Sequence, residues 1–364
     1  VIAILCGGAL IILLIFPLFF RESLVKPLAR LQEGIRQVNH GNLNSLVPVR
    51  YHEEIGFLTH SFNIMTSSVK HAKQQLEQLN VAYERFVPHE FLRFLEKSSI
   101  VEVKLGDQVQ REMTILFSDI RDFTTLSETM TPQENFNFIN SYLRQMEPVI
   151  IEHHGFIDKY IGDAIMALFA EGADDAVQAG IAMQRRLVAY NAGRQHAGYQ
   201  PIRIGVGINT GSLMLGTIGG QHRMEGTVIS DAVNVASRIE GLTKKYGAGL
   251  LISDSAYLRI QDRNRYRIRI VDRVRVKGKT EPMTVLEVFD GDSEQIIELK
   301  LATAEDFENG RYLYFQKEFA DAGEFFSRVL RINPADKVAQ VYSERCRHFQ
   351  QYGVPKEWEG IERL

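Results

Sequence analysis

The sequence predicts an α/β fold: an α+β sandwich with a mixed, mostly antiparallel sheet, preceded by apolar and heptad-patterned helices and followed by a helical tail. Three observations predict it. From about Val101 to Asp290, short apolar runs of strand character alternate with longer amphipathic runs. Before them come an uncharged stretch over 1–20 and two stripes of apolar residues in steps of three and four. After them, from about Glu294, the pattern is helical throughout.

A chain of 364 residues has room for two or more domains. A net charge of −3 gives no reason to expect nucleic-acid binding. The two cysteines, Cys6 and Cys346, lie near opposite ends and imply no disulfide framework. The ten histidines show no metal-ligand spacing, and His153-His154 read as a helix end.

Val1 to Phe20 carries no charge and approaches the roughly 20 residues that cross a bilayer. It has neither the basic leader nor the small-residue cleavage site of a signal peptide. The expectation is a transmembrane helix over 1–20. Arg21, Lys26 and Arg30 follow at once, which by the positive-inside rule places the rest of the chain in the cytoplasm, at the plasma or inner membrane. The first residue is Val rather than Met, so the chain reads as the C-terminal part of a longer protein whose sensor precedes Val1.

Leu24, Leu28, Leu31, Ile35 and Val38 form one heptad stripe, and Ile55, Leu58, Phe62, Met65 and Val69 a second. Such stripes seek a partner helix. The second continues through Ala72, Leu76, Leu79, Tyr83 and Phe86 until Val87-Pro88 breaks it, and a short helix follows over 89–96. Between the stripes lies GNLNSLVPVRYHEEIG, rich in turn formers. An ordinary helical hairpin would also fit. With Pro27 and a connector ending in Glu-Ile-Gly, however, the segment resembles a HAMP domain, which implies a parallel four-helix bundle of two chains. The boundaries are 21–74 for the HAMP domain and 75–97 for a coiled-coil signalling linker.

In the core region, strands are expected at 112–118, 156–160, 164–169, 203–209, 212–218, 249–252, 266–276 and 282–289, and helices at 132–152, 174–191 and 229–244. Thr131-Pro132 supplies a cap and a first-turn proline for the first helix. No G-x-G-x-x-G follows the first strand, which excludes a dinucleotide-binding fold.

Two aspartates stand out. Asp119 follows the apolar run of TILFSDIRDFT, and Asp163 sits in the Ile161-Gly162-Asp163 turn of DKYIGDAIMALF. A strand that ends in a carboxylate presents it at a sheet edge, and two such carboxylates can hold hard cations for phosphoryl transfer. A single Asp there would be an ordinary turn former. In TVISDAVNVASRIEGL, Asn234 and Arg238 lie four apart on one helix face. That pair suits a ribose oxygen and a phosphate oxygen, and equally a solvated face with a salt bridge. The alternating Arg273, Arg275, Lys277 and Lys279 read mostly as the wet face of a strand, with Lys277 beside Gly278 the best phosphate candidate.

FSDIRDFT, DKYIGDAIMALF, TVISDAVNVASR and VKGK, in this order, resemble the four signatures of class III adenylyl/guanylyl cyclases, over 98–290. The resemblance implies a ferredoxin-like catalytic core that works as a head-to-tail homodimer with sites shared at the interface. Asp119 and Asp163 match the metal-binding aspartates, with Ile120 supplying a backbone carbonyl, and the implied cofactors are two Mg²⁺ (or Mn²⁺) per site. Phe123 and Thr124 match the turn whose backbone amides approach the triphosphate. Asn234 matches the ribose-orienting Asn, Arg238 the transition-state Arg, and Lys277 the triphosphate-binding Lys.

Lys159 and Thr227 match the base-reading pair. Lysine is donor-only, which suits the unprotonated N1 of adenine. Guanylyl cyclases carry Glu at the Lys159 position. Thr227 can accept from the adenine amino group, where many adenylyl cyclases have Asp, and Thr marks a bacterial-type subgroup. Some members place an Arg near the start of the 203–209 strand; here that position is Gly205, with Arg203 two residues earlier, and neither is assigned.

The segment 291–364 contains GRYLYFQKEFADAGEFFSRVLRINPAD, which resembles one tetratricopeptide unit. One unit forms no solenoid, so packing on the cyclase domain is expected, with protein-partner binding as the lesser reading. The expectation for the whole is a membrane-anchored, HAMP-regulated, homodimeric adenylate cyclase acting on ATP. Guanylate cyclase and a non-catalytic nucleotide-binding signalling dimer are the alternatives.

Overall fold

The computed structural model describes residues 2–49, 54–84, 88–220, 222–275, 281–355 and 358–363. They fall into two units, Val1–Val87 and Pro88–Leu364, each described by itself.

The first unit is helical: α1 (Ile2–Phe20), a π-helical turn (Arg21–Val25), α2 (Lys26–Asn39) and α3 (Glu54–Glu84). Pro27 sits at the start of α2, directly after the π-helical turn. The connector is clipped to α3 through Asn63, which donates to the Val47 carbonyl at 2.8 Å and accepts from the Val47 N–H at 3.0 Å. Val47 and Phe62 are buried against Gly34, where a Cβ would come within 2.4 Å of Val47. Most of the α3 stripe, Leu58, Met65, Val69, Leu76, Leu79 and Tyr83, stays exposed in the single chain.

Among the described residues no helix is long and apolar enough to cross a membrane. This corrects the fold class expected from the sequence: the transmembrane helix over 1–20 is withdrawn, and the topology argued from Arg21, Lys26 and Arg30 loses its premise. The segment folds as the 19-residue α1. Pro17 interrupts its last turn, and the helix runs directly into a charged π-helical turn.

The second unit begins with α4 (His89–Phe94) and a 3₁₀ turn, then β1 (Gln108–Ile120), α5 (Phe123–Ser127), α6 (Pro132–Glu152), β2 (Gly155–Ile161), β3 (Ala164–Phe169) and α7 (Ala173–His196). It continues through β4 (Ile204–Gly220), β5 (Arg223–Ile229), α8 (Asp231–Tyr246), β6 (Leu250–Ser253), α9 (Asp254–Arg259), β7 (Ile268–Arg275) and β8 (Met283–Val288). Four helices follow, α10 (Glu294–Ala302), α11 (Ala304–Phe315), α12 (Phe319–Ile332) and α13 (Lys337–Tyr352), and then the short β9 (Glu362–Arg363). The sheet runs β2-β3-β1-β4-β6-β8-β7-β9, with β5 paired to β4. Pairing is antiparallel except at β4–β6 and β7–β9.

The expected cap holds: Thr131 and Glu134 form a reciprocal capping box at the start of α6. The two strands expected at 203–209 and 212–218 are one. Asn209-Thr210-Gly211 has turn composition, yet β4 pairs with β1 along its whole run from Gln108↔Gly216 to Ile120↔Ile204. The Thr114 and Thr210 hydroxyls meet at 2.8 Å, and the Asn209 amide donates to the Ala232 carbonyl at 2.9 Å, so tertiary partners satisfy what a turn would have satisfied. The strand β5 was not expected. Gly219, at φ +131, lies at the hairpin end where β4 gives way to β5.

One core cluster packs α6 and α7 on one face of the sheet. A second joins α8 and β6–β8 to the tail through Phe307, Tyr314, Phe326 and Tyr342. Buried polar groups cross the same junction. Asp272 on β7 accepts from the Tyr246 hydroxyl of α8 at 2.6 Å, the Tyr342 hydroxyl of α13 at 3.2 Å and Arg345 at 2.8 Å. Arg269 bridges Glu287 and Asp336, each at 2.6 Å, and Lys300 reaches Glu287 at 2.7 Å. The tail therefore packs on the sheet of this second unit.

Candidate active site

β1 and β3 are antiparallel neighbours with Ser118 opposite Ile165. The end of one and the start of the other therefore meet at the same edge. Gly162, at φ +66, makes the β2–β3 turn in a backbone region that side chains disfavour. The Ile120 N–H donates to Asp119 Oδ1 at 3.0 Å and to Asp163 Oδ2 at 3.2 Å, so both carboxylates converge on one point. Burial and then the neighbouring Asp119 push the Asp163 carboxyl up to about 7. Glu240 on α8 is raised to about 7 as well, first by burial and then by Asp119, with Arg121 acting the other way.

This edge therefore gathers acidic groups from β1, the β2–β3 turn and α8. Among the described residues no group of three or more His, Cys, Asp or Glu side chains forms a metal cage. Two carboxylates with a neighbouring backbone carbonyl at Ile120 instead suit Mg²⁺, which keeps waters and takes substrate phosphates rather than a closed protein shell. The residues present fit such a cation.

α8 is capped by Ser230, whose side chain accepts from the Ala232 N–H. Val235, Ala236 and Ile239 are buried, which leaves Asn234 and Arg238 on the exposed face. The helix lies so close to β4 that a Cβ on Gly207 would come within 2.2 Å of the Glu240 backbone. A Cβ on Gly205, which pairs with Asp119, would come within 2.2 Å of Thr243 Oγ1 and 2.5 Å of Glu240 Oε1, so a side chain there would displace both.

Lys159 on β2 and Thr227 on β5 come together: Lys159 Nζ donates to Thr227 Oγ1 at 2.7 Å. Asp158 and Glu225 stand beside the same ammonium, at 3.5 and 3.6 Å. Phe123 opens α5 directly after Asp122, whose φ is +58, and its ring stacks on Phe138. Thr124 is exposed. Lys277 lies outside the described residues. Of the residues expected from sequence, the structure thus brings together two sets, Asp119 with Ile120 and Asp163, and Lys159 with Thr227.

Three neighbours escaped the sequence reading: Asp158, Glu225 and Glu240. For Asp158 a signal existed. Two adjacent charges inside the strand run FIDKYI break the alternation of a regular strand, which marks a bulge.

Residues 105–287 match the adenylate and guanylate cyclase catalytic domain family, and residues 19–71 match the HAMP domain. The chain belongs to that cyclase family and carries a HAMP domain before its catalytic domain. It is similar to an adenylate cyclase of Anabaena cylindrica, 41% identical over 277 residues, covering 74% of this chain and 55% of the relative. It is also similar to the terminal-differentiation specific adenylate cyclase of Dictyostelium discoideum, 39% identical over 286 residues, covering 77% of this chain and 13% of the relative. The chain thus spans about half of the first and a smaller part of the second. In fold it resembles a bacterial light-regulated adenylyl cyclase, with a TM-score of 0.54 at 24% identity, covering 63% of this chain and 66% of that one.

Proposed function

We propose that the protein is an adenylate cyclase that converts ATP to 3′,5′-cyclic AMP and pyrophosphate. The observation that carries the choice of base is the Lys159–Thr227 hydrogen bond at 2.7 Å. It fixes a donor-only ammonium where the family reads the purine, and such a group suits adenine N1 and not the N1–H of guanine. That two relatives at 41% and 39% identity are named adenylate cyclases supports the same choice.

In the reaction, the ribose 3′-oxygen attacks the α-phosphorus of the same nucleotide. The new ester bond forms as the bond to the bridging oxygen breaks, pyrophosphate leaves, and the 3′-hydroxyl proton passes to solvent. Asp119, Asp163 and the Ile120 carbonyl would hold two divalent cations, Mg²⁺ or Mn²⁺, which when bound would supply the charge that acidifies the 3′-hydroxyl and neutralises the triphosphate. Asn234 orients the ribose. Arg238, with Lys277, offsets the charge that builds on the phosphoryl group and the leaving pyrophosphate. The backbone at Phe123 and Thr124 faces the triphosphate. Lys159 donates to adenine N1, and Thr227 accepts from the amino group.

Each chain holds each residue set once, and the active form is a homodimer with shared sites. The exposed α3 stripe supports a partner helix, since it leaves Leu58, Met65, Val69, Leu76 and Leu79 uncovered in one chain. The HAMP domain carries the controlling signal.

Guanylate cyclase is the second reading. Glu225, with its carboxylate 3.6 Å from Lys159, offers an acceptor that guanine could use. The test is cyclic-product formation by the full chain with ATP or GTP and Mg²⁺ or Mn²⁺. Cyclic AMP as the main product supports the proposal, cyclic GTP-derived product supports the second reading, and no product from either nucleotide contradicts both.

A further inference from the structure

We infer that Asp158 is a positioning residue for base selection, acting through Lys159. The inference rests on the reading of Lys159 as the purine-reading group.

Neighbouring residues of a regular strand point to opposite faces, so adjacent side chains do not ordinarily pair. Here the β2–β3 register shifts between Ile157 and Lys159: Ile157 lies opposite Ala167 and Lys159 opposite Met166, with Asp158 the extra residue between them. Bulges re-aim side chains and occur beside active sites. This one lets the consecutive Asp158 and Lys159 form an ion pair at 3.5 Å.

The pair is lopsided. The Asp158 side chain is 2% exposed, and that of Lys159 is 30% exposed. A buried carboxylate cannot touch a nucleotide, and its ammonium partner can. Asp158 Oδ2 has no hydrogen-bond partner, so the nearby ammonium is what offsets its removal from water. Burial raises the Asp158 carboxyl, and Lys159 acts against that rise.

The ammonium has three donors. Thr227 takes one at 2.7 Å, while Asp158 and Glu225 lie at 3.5 and 3.6 Å, too far for good hydrogen bonds but close enough to set its direction electrostatically. Of the two acids Asp158 is the fixed one, since the Glu225 side chain is 54% exposed and also lies 3.8 Å from Arg223. The bulge thus holds a buried negative charge behind the ammonium, and the exposed side of Lys159 is presented in one orientation.

The test is a double-mutant cycle on the full chain: wild type, Asp158→Asn, Lys159→Met and the double variant, each with kcat and KM for ATP and for GTP. Asp158→Asn keeps the size of the side chain and removes its charge. The expected result is a fall of about tenfold in the ATP-over-GTP ratio of kcat/KM, carried by a higher KM for ATP, and no further fall when Lys159 is already Met. Asp158→Glu, which restores the charge, should recover part of the ratio. A purely structural role would lower activity on both nucleotides alike and add to the Lys159→Met effect, which overturns the inference. An unchanged ratio in Asp158→Asn overturns it while leaving Lys159 as the reader. An unchanged ratio in Lys159→Met overturns the reading of Lys159 itself, and this inference with it.

Discussion

Asp119 and Asp163 share one backbone donor. The Ile120 N–H lies 3.0 Å from the first carboxylate and 3.2 Å from the second, which joins the end of β1 to the β2–β3 turn. Burial first, and then the Asp119 carboxylate beside it, raise the Asp163 carboxyl above its ordinary value.

Asp119→Ala and Asp163→Ala should each fall below about a tenth of wild-type turnover, because the loss of one cation ligand removes several kcal/mol of transition-state stabilisation. Both residues are half-buried at an edge, so thermal unfolding should shift little. A chelator should stop the wild-type enzyme, and added Mn²⁺ should restart it. Turnover above that level in either well-folded variant argues against the cation site.

Lys159→Glu replaces a donor with an acceptor at the base-reading position. The ATP-over-GTP ratio of kcat/KM should fall at least tenfold, about 1.4 kcal/mol. Steady-state kinetics on both nucleotides give the ratio, and an equal loss on both would show that Lys159 does not read the base.

The tail is expected to be integral to the catalytic unit. Asp272→Ala leaves Arg345 and the Tyr246 and Tyr342 hydroxyls without their shared acceptor in a buried junction. Breaking such a network costs about 3–5 kcal/mol. Urea unfolding followed by fluorescence should show the unfolding free energy falling by that amount; a change under about 0.5 kcal/mol would mean that the junction is not as tight as its distances imply.

The same junction should show in acid. Burial alone would raise the Glu287 carboxyl, but Arg269 and Lys300 outweigh it and hold the group below its ordinary value of 4.5. A group depressed in the folded state contributes stability above its unfolded pKa and loses it as pH falls through the folded one. Glu287→Gln should therefore lower stability at pH 7 and flatten its decline below about pH 4.5. An unchanged acid slope would remove Glu287 from the account.

Much of the site was legible because local chemistry wrote it. Gly162 was readable as a turn, and the strand ends at Asp119 and Asp163 followed from apolar runs that stop. Asn234 and Arg238 showed as one helix face because their spacing is helical. What stayed hidden depended on distant partners. The continuity of β4 through Asn209-Thr210-Gly211 rests on its pairing with β1, and the approach of Glu240 rests on Gly205 and Gly207 leaving room for α8. The membrane span over 1–20 rested on composition, and an uncharged run does not by itself make a span.

The central claim is that one active site draws on two chains, and mixing tests it most directly. Asp119→Ala and Arg238→Ala lie in complementary residue sets, so each homodimer should be nearly inactive. In a mixed dimer both lesions fall in one of the two pockets and the other is intact. Equal mixing with free subunit exchange should restore about a quarter of wild-type cyclic AMP formation, since half the dimers are mixed and each has one working site. Activity that stays at the level of the separate variants, with exchange demonstrated by differently tagged subunits, would contradict the shared site and place each active site within a single chain.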